Sequence, residues 1–236
     1  MKNSFATGRL RFPLTLAALA AIAGCAAGEP PVIDTRPGAE VSFDGLNRVL
    51  NSGADEAWAR AGLDLSIYTK VKLESAGIEY RPGGESSALW AVQRSRSGPY
   101  EVTEAQKARL EEIVRDVFLE ELREGQKYAI VDEPGPDVLV VRGRLLDVVS
   151  YVPPEPVGRA DVFLNRVGEA TLVVEFRDSI TDAILVRSID RRAAERPGQD
   201  LHWSNPVNNT AEIRRVARRW ATSLREALDE FMGPQP

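Results

Sequence analysis

Apolar positions along the chain fall into three regimes: one short continuous run near the start, alternating stretches through the middle, and two stripes at three-and-four spacing. The first stripe, Leu110, Ile113, Val114, Val117, Phe118 and Leu122, predicts a helix over Thr103 to Glu124. Thr103 and Gln106 form a capping-box pattern at its start, and Gly125 supplies the stop. The second stripe, Ile213, Val216, Ala217, Trp220, Leu224, Leu228 and Phe231, predicts a closing helix over Asn209 to Met232, with Gly233 just past it. Between and before these helices the period drops to two. Ile67 to Leu73, Ile78 and Tyr80 read as one strand with a bulge at Ala76-Gly77. The stretch YAIVD, a Pro134-Gly135-Pro136 turn and VLVVRGRLLDVVSYV read as a hairpin, with Gly143 as a second bulge. In ATLVVEFRD, Ala170, Leu172, Val174 and Phe176 share one side, and a turn at Ser179 to Asp182 leads into AILVRSIDRRAA. Alternation with one polar side predicts an α+β domain, β-α-β-β-β-β-α: an antiparallel-dominated sheet of about five strands with two helices packed on one face.

The continuous run, Leu14 to Ala23, follows Lys2, Arg9 and Arg11 and ends in small residues, which is the order of a secretory signal. It is about half the roughly 20 apolar residues that a spanning helix needs. Its end, Ile22-Ala23-Gly24-Cys25, resembles a bacterial lipobox, a signal in which the cysteine thiol takes a diacylglycerol and the new amino terminus is acylated. The resemblance implies a signal peptide over 1–24 and a membrane partner held through lipid on Cys25. With Ala at position 26, its similarity to proteobacterial sorting signals implies the outer membrane, with the domain facing the periplasm. Residues 25–40, rich in Pro and Gly, read as a lipidated N-terminus and flexible tether of about 15 residues at ~3 Å each, and 41–236 as one globular domain.

The chain of 236 residues is acidic, with a formal net charge of −5, and loss of the three leading cations makes it more so. Acidity and export both argue against nucleic acid as a partner. With its single cysteine committed to lipid, no intrachain disulfide is available, so stability rests on burial. One cationic cluster stands out: Arg214, Arg215, Arg218, Arg219 and Arg225 occupy the polar side of the closing helix. It reads either as a solvated face paired with nearby carboxylates or as a docking surface for an envelope protein or an anionic envelope component. The long connection over residues 81–102 carries Trp90, either as a lip offered to a ligand or as a pin into the core.

Candidate chemistry is sparse. Histidine occurs once, at His202, which cannot supply a two-histidine zinc site, and the chain has no GxSxG, HExxH or phosphate-cradling glycine loop. No catalytic residue, metal or cofactor is therefore assigned. His202, Trp203 and Asn205, in the polar loop QDLHWSNP, form a candidate polar-aromatic recognition patch. The leading expectation is a non-enzymatic binding or adaptor module of the cell envelope. The rival is a periplasmic hydrolase using His202 or a carboxylate pair, which needs no obligatory spacing. A pocket of converging acids and bases would favour the rival; an exposed apolar patch or a free sheet edge would favour binding.

Several short motifs share an order. Phe43-Asp44-Gly45-Leu46, then Asn51-Ser52, then Asp64-Leu65-Ser66-Ile67-Tyr68-Thr69-Lys70 lead into the first long strand. Val131-Asp132-Glu133-Pro134-Gly135-Pro136 precedes another, and Gly168-Glu169-Ala170 opens the one ending Phe176-Arg177-Asp178-Ser179. In this order, from Val41 to about Phe231, the chain resembles the bacterial lipoprotein family called domain of unknown function 3313. The resemblance implies an envelope location and carries no catalytic residues. Thr181-Asp182 stands where that family would have Thr-Gly.

Overall fold

In the computed structural model, residues 29–81, 99–153, 161–196, 198 and 201–232 are described. Cys25 and Trp90, and the signal segment 1–24, lie outside them.

Four long strands form the centre of the sheet: β4 (Lys70–Tyr80), β6 (Val138–Ser150), β8 (Arg166–Asp178) and β9 (Ile184–Glu195). Short strands extend it at both edges: β1 (Val32–Ile33), β2 (Asn47–Leu50) and β3 (Glu56–Ala59) beyond β9, and β5 (Ala129–Ile130) beyond β4. The order is β1-β2-β3-β9-β8-β6-β4-β5. Two helices complete the domain: α1 (Glu104–Leu122) and α2 (Pro206–Phe231). A separate ribbon pairs β7 (Phe163–Leu164) with β10 (His202–Trp203).

The α+β class is as expected, but the sheet has eight strands rather than about five, and it is mixed. β4 runs parallel to both β5 and β6, while the other pairs are antiparallel. The reason lies in α1. A helix inserted between two strands returns the chain to the end it started from, so the next strand in register must be parallel. The expected hairpin of YAIVD with the strand after the Pro-Gly-Pro turn does not form. β5 passes instead to the far side of β4, where Lys70 faces Ala129 and Val71 faces Ile130. Part of the stretch expected as a tether, residues 25–40, is built into the sheet. Val32 and Ile33 pair with Leu50 and Val49, and Asp34 accepts from Arg36 Nη2 at 2.6 Å.

Alternation assigns each face a role. Val71, Leu139, Val141, Leu145, Leu172, Val174 and Phe176 point to one side and join Trp220, Leu224 and Leu228 of α2 in a single core. α2 lies over β8 and β9, and α1 packs alongside it, sending Leu122, Phe118 and Leu110 to the same core. The other face is ionic. One transverse row runs Arg48, Trp58, Arg187, Glu175, Arg142, Glu74 across β2, β3, β9, β8, β6 and β4. Arg48 stacks on Trp58 at 5.1 Å, Arg187 meets Glu175 at 3.1 Å, and Arg142 meets Glu74 at 2.7 Å.

Local irregularities fall partly where glycine placed them. The bulge at Ala76-Gly77 is present, with the register shifting between Ser75 and Ile78 and Gly77 at φ 91°. Gly143, read as a second bulge, pairs regularly with Val174. The shift in β6 comes instead between Leu146 and Val149, where Asp147 takes φ 53° and accepts from both Arg81 and Arg191. Two guanidiniums hold that carboxyl well below the usual range, first through the hydrogen bond from Arg81. At the β8–β9 turn, Asp182 occupies the left-handed region at φ 56°, the conformation a glycine would adopt freely, and Arg177 holds its carboxylate at 2.8 Å.

Asp182→Gly is expected to change stability by less than about 1 kcal/mol, because relief of the left-handed backbone offsets a surface ion pair. Asp182→Val removes the ion pair and keeps the strain, and is expected to cost about 1–2 kcal/mol. Urea unfolding midpoints of the two variants distinguish these outcomes.

Candidate functional site: an apolar cleft at the start of both helices

α1 and α2 begin at the same end of the sheet, and between their first turns lies an open cleft of about 1160 Å³. Its floor is the end of β6 and the facing ends of β8 and β9, through Leu145, Val148, Val167 and Ala194. One wall is α1, with Ala105, Leu110, Ile113 and Val114; the other is α2, with Val207, Ile213, Val216 and Trp220. Caps set where the walls start. Thr103 accepts from the backbone of Gln106 while the Gln106 side chain accepts from the backbone of Thr103. Asn205 Oδ1 accepts from the backbone of Asn208 at 2.9 Å, and Pro206 opens α2.

Around the mouth, apolar groups face water. Phe163 and Trp203 sit opposite each other in the β7–β10 ribbon and are 56% and 52% exposed, and Leu201 and Val207 are exposed more fully. Polar groups share the lining with the apolar ones, among them Gln106, Arg109, Asp161, Arg192 and Asn209. Asp190, just below, accepts from Trp220 Nε1 at 2.7 Å and from Arg192 Nε at 2.5 Å. Glu169 borders the cleft, but strand alternation sends its side chain to the opposite, ionic face, where Arg191 holds it at 2.7 Å. Tyr80 differs: its hydroxyl is buried and lacks a hydrogen-bond partner among the described residues, and burial, with Glu104 and Glu111 nearby, pushes its pKa up to about 12. Lys107 Nζ lies 5.3 Å from the same ring. An apolar chamber with one unsatisfied hydroxyl suits an apolar group carrying a single polar atom. Among the described residues, no cluster of three or more His, Cys, Asp or Glu is placed to hold a metal.

Of the residues singled out in sequence, Trp203 and Asn205 reach this cleft. Asn205 is there as a helix cap, and α2 starts one turn earlier than its apolar stripe, at Pro206 rather than Asn209. The Ser-Asn-Pro order carried that signal, since Asn before Pro is a helix start. His202 pairs with Leu164 in the ribbon. The arginines do not converge on the cleft. Arg215 binds Glu212, Arg218 meets Glu120 of α1 at 3.1 Å, and Arg225 meets Glu121 at 3.2 Å and Asp229 at 3.5 Å. Glu212, only 1% exposed, is also reached by Arg196 at 3.3 Å, so much of this cluster binds the two helices to each other and to the sheet. Arg219 is exposed, and Arg214 is half-buried. The first turns of α1 were not singled out, because a helix stripe shows which side is apolar and not where the helix stands away from its neighbour.

These features define an α+β domain with a helix-walled apolar cleft over one end of an open mixed sheet. The chain belongs to the family described as protein of unknown function DUF3313, whose model matches residues 39–224. No curated protein matches it. Among solved structures, it is similar to the PelC dodecamer from Paraburkholderia phytofirmans, at 13% identity over 76% of this chain and 98% of that chain, with a TM-score of 0.37. It is similar also to a protein from Xanthomonas campestris described by the family model DUF330, at 10% identity, 71% and 86% coverage and a TM-score of 0.38. A hypothetical protein from Chlamydia trachomatis matches at 10% identity, 69% and 98% coverage and a TM-score of 0.33. At these TM-scores the likenesses bear on neither fold nor function.

Three tyrosines give the native state an alkaline limit, and of these Tyr128 is pushed up furthest, by burial. Burial and then the hydrogen bond to Asp178 push Tyr68 up to about 12, matching Tyr80. Both pKa values are raised by folding, so their contribution is complete below about pH 10 and is lost as pH rises from there toward 12. Tyrosinate absorbance of the folded protein is expected to show three late-titrating groups, with one lost in each of Tyr68→Phe, Tyr80→Phe and Tyr128→Phe.

Proposed function

We propose that this protein is a non-enzymatic binding module of the bacterial cell envelope, anchored through lipid on Cys25, that receives an apolar group of its ligand in the cleft between α1 and α2. The observation that carries this reading is the composition of the cleft. Its walls are predominantly apolar, and the exposed Trp203 and Val207 are part of its lining. Acid/base chemistry needs titratable groups that converge on one reacting atom with separated proton affinities. Here Asp190 is tied to Trp220 and Arg192, and Tyr80 is driven away from ionisation. Such an arrangement suits burial of an apolar ligand better than proton transfer. Anchoring rests on the lipobox-like Ile22-Ala23-Gly24-Cys25 and the signal-like segment before it. The outer membrane is the proposed site because Ala follows the cysteine.

Two experiments test the two halves. Cys25→Ser is expected to move the protein from the membrane to the soluble fraction of cells and to abolish incorporation of labelled palmitate. Unchanged fractionation would sink the anchoring. For the cleft, the fluorescence of 1-N-phenylnaphthylamine is expected to rise on binding to the purified protein. Ile213→Glu places a charge on the cleft wall and is expected to weaken the probe by about tenfold or more, equivalent to about 1.4 kcal/mol. An unaltered titration in a variant that keeps its circular dichroism would remove the cleft from the function.

A further inference from the structure

On the opposite face of the sheet, far from the cleft's helices, one side chain is exposed beyond any other large apolar group: Phe43, at 94%. It is not on a loose loop. Ser42 Oγ donates to Asp44 Oδ1 at 2.6 Å and accepts from the backbone of Leu46 at 3.0 Å, and Gly45 closes the turn at φ 81°. Asp44 accepts from both terminal nitrogens of Arg187, at 3.3 and 2.6 Å, and Leu46 is sealed in the core at 1% exposure. The turn is thus fastened on both sides of Phe43, whose ring projects above the Arg187 guanidinium at 5.2 Å.

Pairing places more apolar surface on that side. Arg48 faces Trp58, and Trp58 faces Arg187, so all three point to the ionic face. Leu50, two residues along β2 from Arg48, points the same way, and Val32 of β1 faces Leu50. Both are exposed. Val32 and Leu50 therefore form an apolar corner at the β1–β2 edge, and Phe43, in the turn that leads into β2, projects on the same face above Arg187 of β9.

The same edge is where the chain arrives from Cys25. Because Val32 is already paired in the sheet, the link from Cys25 spans at most roughly 25 Å even when fully extended. A lipid at Cys25 keeps this corner close to the bilayer at high effective concentration, so that a small apolar surface suffices as a second contact. We propose that the β1–β2 corner docks on the lipid surface that holds Cys25, with Phe43 entering the interface. The ionic face is then turned toward the membrane and the helix face, with its cleft, is held away from it. This inference rests on the anchoring proposed above and gives it an orientation.

The test is photo-crosslinking with Phe43→p-benzoylphenylalanine, whose added benzoyl group an exposed position can accommodate, in intact cells. The same residue at Glu111, exposed on α1, is the control. The expected result is lipid adducts at position 43 in several-fold excess over position 111. A protein adduct at 43 in place of lipid, equal yields at both positions, or no adduct at 43 would overturn the docking. Failure of the anchoring itself is read separately, as loss of the wild-type protein from the membrane fraction. In that case the purified protein is coupled through Cys25 to a maleimide-bearing lipid in phosphatidylethanolamine and phosphatidylglycerol vesicles, and the same comparison of positions 43 and 111 decides the docking.

Discussion

Burial of one face of the sheet beneath α2 is the interaction on which the rest of the structure depends. An open sheet has two faces, and this chain supplies apolar covering for one. Leu172, Val174 and Phe176 of β8 meet Trp220, Leu224 and Leu228 of α2, and the indole nitrogen of Trp220 is satisfied by Asp190 from the floor. α1 is then placed at second hand, against α2 and the core edge. Because both helices begin at one end of the sheet and line the same cleft with their first turns, the cleft is a consequence of this packing rather than a separate feature.

The uncovered face required another solution. Exposed β-surface with its long strands invites association, and natural sheets blunt it with charge and bulges. Here arginines and carboxylates alternate across the four central strands, Arg187, Glu175, Arg142 and Glu74, and pair between neighbours, so the face is ionic with both signs interspersed. Each exposed pair contributes little on its own. Their collective effect is to fix side chains in place around apolar neighbours such as Trp58, Val173 and Ile189, while Phe43, Val32 and Leu50 stand exposed on that face.

The motifs shared with the family acquire physical roles in this frame. Asp44 of Phe43-Asp44-Gly45-Leu46 joins the outer ionic network while Leu46 plugs the core. Tyr68, in the segment before β4, donates to Asp178 at the end of β8, tying the start of one central strand to the end of another. Ser179 bonds with Gly135 in both directions, as donor to its carbonyl and acceptor from its amide, and so joins the Pro-Gly-Pro turn to the β8–β9 turn. These contacts gather at one end of the sheet, opposite the cleft, which frees the cleft end from the task of holding the strands together.

By itself, the sequence determined the periodic elements: both helices, the alternation of β8 with β9, the capping box at Thr103, and the bulge at Gly77. Each is set by neighbours a few residues away, through backbone conformation or a repeating apolar side. What only the tertiary structure decided was partnership. Whether β5 pairs with β6 or crosses to the far side of β4, and whether Val32 joins an edge, depends on contacts between segments distant in sequence. Backbone hydrogen bonds carry no residue code, so local pattern leaves such pairings open. The bulge at Asp147 in place of Gly143 has the same origin, since Arg81 and Arg191 approach it from other strands. The cleft, too, was invisible in the chain: its walls are ordinary helix residues, and only the meeting of both helix starts over one sheet end makes them a site.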